Sequence, residues 1–359
     1  KEGLWARGVE ELKEVAAGVR QLVGEQGSLG GGLALRSIRV ADDGTCKLLL
    51  KPSGTDGSTL VESVIIPTPS RTTLCVSSQV GCALNCQFCN TGRMGLQANL
   101  TAAQIVQQVV EAKRVWAARH QESVSVGAKR TEDYIPISNI VFMGMGEPLH
   151  NYSNVKHAID IITHAPGLQF APRKVTVSTS GLVPQIQQLC RDTNVSLAVS
   201  LNATTDEIRN WVMPINRKYN LDTLLTALAK EFPKEKSGGR VFLEYIMLYK
   251  VNDTLEDAHR LIELMATYGL NMKINLIHFN SHQGTIFQAS SPERVVAFRN
   301  VLKDAGVLCT IRESRGDEEM AACGQLGAGP QGAPRLKPPT RIAEALGLAV
   351  ATRPERRKM

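Results

Sequence analysis

Nothing in the 359 residues approaches the ~18–20 consecutive apolar positions that a membrane-spanning helix needs, so the chain does not read as a membrane protein. Neither sign of charge dominates. Lys and Arg number 41 against 34 Asp and Glu, a net +7 that favours polyanions yet equally fits a slightly basic globular protein. Cysteine is too irregular for a secreted disulfide scaffold: eight residues scattered over this length point to a reducing compartment, cytoplasmic or the stroma or matrix of an organelle. No basic-then-apolar signal peptide follows Lys1, and a start without Met reads as a fragment or processed form. Trp116, Trp211 and the scattered histidines stand in no motif.

What is present reads as globular, with 43% apolar and 21% charged residues. Residues 5–23 repeat apolar positions at helical spacing and end in a joint at 25–32. LALRSIRV and CKLLLKPS flank a turn at Asp43-Gly44 and predict a hairpin, and LVESVIIP alternates as a third strand. From Leu74 onward, apolar or β-branched runs at 74–80, 138–143, 174–179, 195–201, 241–248, 272–279 and 308–313 alternate with helical patterns such as 101–120 and 254–269. That rhythm predicts an α/β fold with a parallel sheet closed partly or fully into a barrel, whose chemistry gathers at the carboxyl ends of the strands. Residues 121–134 form a polar insertion. After Leu326 the Gly/Pro-rich stretch predicts a disordered, basic tail with a short helix at 341–349.

Three cysteines, Cys82, Cys86 and Cys89, stand at C-x-x-x-C-x-x-C spacing. Structural zinc normally takes four side chains, whereas an iron-sulfur cube held by three cysteines keeps one iron open for a substrate. From spacing alone both readings stand, with Cys75 available as a fourth zinc ligand. Polar residues gather where the strands end: Gly146 and Glu147 after ISNIVFM, Ser178 after RKVTV, Ser200, Leu201 and Asn202 after VSLAV, and Asn280 after MKINLIHF. Glycines there would let a ligand approach the backbone, Glu147 could meet an ammonium group, and the hydroxyls and amides could contact ribose or adenine.

The stretch Arg71 to Gly95, RTTLCVSSQVGCALNCQFCNTGRMG, with MGMGEPL, VTVSTSG, MPINRKYN, INLIHFN and SRGDEEMAACGQL, closely resembles the RlmN/Cfr family of radical S-adenosylmethionine (SAM) RNA methyltransferases, from about Val61 to Leu326. The resemblance implies a partial (β/α)6 barrel of TIM type at 58–326, an N-terminal helical and β-hairpin extension at 1–57, and a flexible tail at 327–359. It implies a [4Fe-4S] cluster on Cys82, Cys86 and Cys89, with SAM on the open iron, used twice per turnover. Gly146, Glu147, Ser178, Ser200, Leu201, Asn202 and Asn280 match the positions that hold the nucleoside.

The implied reaction methylates an adenine ring carbon in 23S rRNA: C2 for RlmN-type enzymes, which also act on tRNA, or C8 for the Cfr type. C2 is the first reading; a non-catalytic zinc-bearing RNA-binding protein is the alternative of another class. In the family's scheme Cys323 is methylated, a 5′-deoxyadenosyl radical takes hydrogen from its methyl group, and the resulting radical adds to the base. Glu62 then accepts a proton, and Cys75 attacks the Cys323 sulfur to release RNA and leave a disulfide. The implied partners are a flavodoxin- or ferredoxin-type electron donor and a disulfide reductant, acting on a monomer with no membrane. Arg93, Arg217, Lys218 and Arg315 are the candidate phosphate contacts, and Cys46, Cys190 and Cys309 read as packing residues. Three features depart from the family: few residues precede Cys82 where an RNA-gripping domain is usual, Asn202 replaces a common histidine, and 281–288 differs.

Overall fold

A computed structural model of the chain describes residues 32–55, 59–125, 134–235, 239–327 and 332–348. The expected helix at 5–23, nearly all of its joint, most of the 121–134 insertion and the last eleven residues lie outside that description.

β1 (Leu33–Val40) and β2 (Cys46–Pro52) form the expected antiparallel hairpin, with Gly44 at φ 81° and Asp43 Oδ1 accepting from Thr45 N at 2.9 Å. β3 (Val61–Thr68) pairs antiparallel with β2, and β4 (Arg71–Cys75) antiparallel with β3. A small separate hairpin follows, β5 (Gln79–Cys82) on β6 (Gly95–Asn99), with α1 (Asn90–Met94) between its strands. After α2 (Ala102–Ser125) come β7 (Ile137–Phe142), α3 (Tyr152–Thr163), β8 (Val175–Thr179), α4 (Val183–Asp192) and β9 (Ser196–Ser200). Then α5 (Asp206–Val212), α6 (Leu221–Glu231), β10 (Val241–Met247), α7 (Leu255–Tyr268), β11 (Met272–His278), α8 (Pro292–Asp304) and β12 (Cys309–Arg312) complete the core.

One ten-stranded sheet runs β1-β2-β3-β4-β7-β8-β9-β10-β11-β12, parallel from β4 onward. Six of its seven parallel strands fall on apolar runs of the sequence; the run at 74–80 instead straddles the end of β4 and the start of β5, and among the described residues β1 and β12 do not pair, so the barrel stays partial. Helix ends are fixed locally: Thr254 and Asp257 form a capping box on α7, which stops at Gly269 in the left-handed conformation.

Period-two alternation in β3 decides what reaches the barrel side. Val61 and Ile65 join the main apolar core, and the Ser63 hydroxyl donates to Gln108 of α2 at 2.7 Å. Val64 packs instead with Cys75, Met94, Met145, Ala321 and Leu326, and Glu62, on that same face, is 2% exposed.

The expected flexible tail differs in part. Residues 332–348 lie along the 85–93 region, with Pro334 O accepting from Asn85 Nδ2 at 2.9 Å and Leu336 N donating to Gln87 Oε1 at 2.9 Å. Trp211 Nε1 donates to Leu336 O at 3.1 Å, and α9 (Thr340–Ala345) buries Ile342 and Ala343. Gly/Pro-rich composition disfavours a self-standing fold, but a strap needs only partners elsewhere in the chain.

Candidate active site

Cys82 ends β5, and Cys86 and Cys89 follow in the loop that leads into α1. Asn85 takes φ 51° in that loop, and Cys89 N donates to Cys86 O at 3.1 Å. Burial pushes all three thiols up, Cys86 to about 12, so their thiolates require a cationic partner. Neighbouring donors favour the charged form of each sulfur: the Leu84 backbone at Cys82, the Ser180 hydroxyl at Cys86, and the Gly92 and Thr91 backbones at Cys89. Such donors are the ones that stabilise cluster sulfurs.

Among the described residues no three His, Cys, Asp or Glu side chains converge on one metal ion. A cube differs from zinc in this respect, because each thiolate binds a separate iron. Cys75 packs with Val64, Met94, Met145, Ala321 and Leu326, a cluster separate from the one that holds Cys82 and Cys86. Three thiols without a fourth therefore fit an iron-sulfur cube with an open iron.

Around this loop the strand ends are held by groups the sequence did not single out. Arg209, 0% exposed, donates through Nε to Leu201 O at 2.9 Å, through Nη2 to Ser180 O at 2.8 Å and Ser200 O at 3.0 Å, and through Nη1 to Asn216 Oδ1 at 2.8 Å. Burial lowers its pKa to about 10, with Cys86 and Asp206 acting in the opposite direction. Glu147 accepts from Leu149 N at 3.1 Å and from Ser180 N at 2.8 Å, joining the ends of β7 and β8. The Thr179 and Ser180 hydroxyls favour its charged form as well, against the burial that raises its pKa. No pattern marked Arg209, since an arginine in a short helix becomes informative only when strand ends converge; Ser180 belongs to the hydroxyl cluster that follows RKVTV.

Several residues expected to contact the nucleoside also make bonds within the fold. Asn202, 3% exposed at φ 55°, spends its side chain on the fold: Nδ2 donates to Met213 Sδ at 3.2 Å, and Oδ1 accepts from Ile246 N at 2.8 Å. Leu201 N donates to Glu244 O at 2.9 Å. Gly146, at φ 97°, is small because Gln79 crosses it; a Cβ there would stand 2.5 Å from Gln79 Cβ. Asn280 Nδ2 donates to Cys323 O at 3.1 Å and its Oδ1 accepts from the Ser314 hydroxyl, so it ties the end of β11 to the Cys323 loop. Ser178 and Ser200 stay half-buried at the strand ends.

Cys323 sits in the 316–326 loop, which several elements pin. Asn90 N donates to Gly324 O at 2.8 Å, the Asn90 amide to Gln325 O at 3.2 Å, and the Thr91 hydroxyl to Leu326 O. From the hairpin side Asp43 Oδ2 accepts from Gly316 N at 3.1 Å, and Lys47 Nζ donates to Met320 O at 3.1 Å. Cys75 packs with Ala321 of this loop, and the charge of Cys323 acts on both Cys75 and Cys89. Burial raises both thiols, Cys75 to about 12, while the Arg312 guanidinium favours their charged forms. A cavity of about 690 Å³ opens beside them, lined by Met143, Glu244, Asn280, Arg312 and Cys323 and, further away, by Arg71, Arg173 and Lys273.

Of the candidate phosphate contacts, Arg93 is corrected: it is 6% exposed and donates to Asn85 Oδ1 at 3.1 Å. Arg315 pairs with Glu313 at 3.6 Å, and Arg217 and Lys218 are exposed.

The family described as the radical SAM superfamily matches residues 76–265. The chain is 48% identical over 294 residues to the dual-specificity RNA methyltransferase RlmN of Geotalea uraniireducens, covering 82% of this chain and 78% of that protein. It is 45% identical over 344 residues to the same-named protein of an Anaeromyxobacter species, covering 95% and 87%. Among solved structures, a radical SAM methyltransferase from Sphaerobacter thermophilus matches with a TM-score of 0.79 at 38% identity, covering 89% and 88% of the two chains.

Proposed function

The chain belongs to the RlmN family and is a radical SAM RNA methyltransferase, and from that premise we propose that it methylates C2 of an adenosine in 23S rRNA and in tRNA through Cys323 and Cys75. Membership removes the non-catalytic zinc-bearing alternative. The observation that supports the two-cysteine reading is spatial: Cys75 at the end of β4 packs with Ala321 of the Cys323 loop, and Asn90, next to Cys89, donates to Gly324 O of the same loop at 2.8 Å.

Cys82, Cys86 and Cys89 hold the [4Fe-4S] cluster, and Glu147, Ser178 and Ser200 border the SAM site. Bound there, cluster and SAM, two SAM per turnover, supply a methyl group and a hydrogen-abstracting radical, which a ring carbon too electron-poor for methyl displacement requires. Cys323 offers the sulfur that carries the methyl carbon. Glu62 takes the proton that leaves the base carbon. The odd electron left after radical addition would pass to the oxidised cluster as the one-electron acceptor; Cys75 then attacks the Cys323 sulfur, the new bond is a disulfide, and the electron pair of the broken sulfur–carbon bond goes to the product carbon, which takes up a proton to become the methyl group. Arg312, near both thiols, favours the charged form that each step needs. The adenine leaves its stack to enter the cavity, and the exposed Arg217 and Lys218 meet phosphates. A flavodoxin- or ferredoxin-type donor and a disulfide reductant restore the enzyme, which acts as a monomer in the cytoplasm or an organelle interior.

Nucleoside mass spectrometry after anaerobic incubation with 23S rRNA or tRNA, SAM and a reductant tests the assignment. 2-Methyladenosine is the expected product; 8-methyladenosine would assign the C8 reaction, and neither would overturn the proposal.

A further inference from the structure

Lys47, on β2 of the accessory hairpin, is only 4% exposed. A lysine is rarely taken out of water unless its charge is matched. The ammonium lies 3.5 Å from Glu62 Oε2 and donates to Met320 O at 3.1 Å. Strand register accounts for the first contact: Lys47 stands opposite Val64 and Leu49 opposite Glu62, so Lys47 and Glu62 are diagonal neighbours on one face of the sheet. On that face Val64 packs against Cys75 and Ala321. The second contact reaches the loop that carries Cys323, at Met320, whose φ of 51° marks a tight bend.

One ammonium therefore touches both the proton acceptor and the support of the methyl carrier. Glu62 Oε2 has no hydrogen-bond partner among the described residues, so the cation holds it in place without occupying its lone pairs in a hydrogen bond. The other charges that Lys47 feels are Arg39 and Glu319. Burial pushes the ammonium below its usual range, and Glu62 opposes that shift.

We propose that Lys47 is a positioning residue for product release: its ammonium holds the Glu62 carboxylate in place beside the base, and fixes through Met320 the loop that presents the base on Cys323. This rests on the roles assigned above to Glu62, Cys75 and Cys323. In the step concerned, the C–H bond of the base carbon breaks, its electron pair stays in the adduct, and the proton converts Glu62 to a neutral carboxyl group. No oxidant or reductant enters, and Lys47 keeps its proton throughout.

The test follows formation and decay of the RNA–protein adduct on denaturing gels with end-labelled RNA and the full chain carrying its cluster. Lys47→Gln keeps a donor for Met320 but removes the charge. It should form adduct within about twofold of the unaltered rate and resolve it on the order of tenfold more slowly. Lys47→Arg should restore most of the resolution rate. Lys47→Met, an unbranched side chain of similar length, should slow resolution as well, and replaces Lys47→Gln if that variant does not fold. Resolution at the unaltered rate, or an equal loss of formation and resolution as a merely structural role predicts, would overturn the role of Lys47. Cys75→Ala run alongside separates the two levels: accumulation of adduct upholds the parent reading whatever Lys47 does, and its failure to accumulate any sinks both.

Discussion

At the scale of single residues, Asn202 and Arg209 invert what their types suggest. An asparagine at a strand end looks like a ribose contact, yet this one is used up by Met213 and Ile246 and tolerates φ 55° as few residues do. Asn202→Ala should cost about 2 kcal/mol of stability in chemical denaturation while leaving SAM affinity within about twofold; the reverse pattern would restore the ribose contact. Arg209→Met strands three strand-end carbonyls and should cost about 3 kcal/mol or more by the same measurement. Cys75 makes a pH prediction. Its thiol, pushed up to about 12 by burial from an ordinary 9.0, keeps its proton in the fold when the unfolded chain would lose it. Its contribution to stability is therefore complete below about pH 9 and is lost as pH rises from there toward 12. Iodoacetamide trapping of Cys75 in cluster-free protein should be slow at pH 8 and rise about tenfold per pH unit to pH 10; a flat profile would contradict the burial.

At the scale of elements, the Cys323 loop and the 332–348 strap show what a sequence can and cannot reveal. Most strands were legible because they are apolar or β-branched runs, and the hairpin because Asp43-Gly44 marks its turn; β4, RTTLC, starts three residues before the run that pointed to it. Cys75, Glu62 and Cys323 were legible only together, through the family's motifs; singly they look like packing residues. The strap was not legible, since GAGPQGAPRLKPPT has no periodicity and its place depends on Gln87, Asn85 and Trp211 far away in the chain. Lys47 escaped for a similar reason: β2 reads as a strand whichever face its lysine takes. Because the strap covers the outer side of the Cys82–Cys89 loop, ending the chain at Gly327 should speed the loss of the cluster's visible absorbance in air several-fold. An unchanged rate would mean that the strap shields nothing.

At the scale of the molecule, the sheet extends past its barrel into an antiparallel arm, and that arm does more than add strands. β3 brings Glu62 to the barrel side, β2 brings Lys47, and the Asp43 turn holds Gly316, so the accessory hairpin and the barrel close together on the Cys323 loop. α1 holds the same loop from the cluster side through Asn90 and Thr91. This convergence lets two cysteines remote in sequence act in one reaction, and the central claim is that they do. The most direct measurement is the state of RNA after a single turnover with Cys75→Ala. A covalent RNA–protein adduct should accumulate, map by mass spectrometry to Cys323, and be missing from Cys323→Ala. Free methylated RNA released equally by both variants would contradict the account.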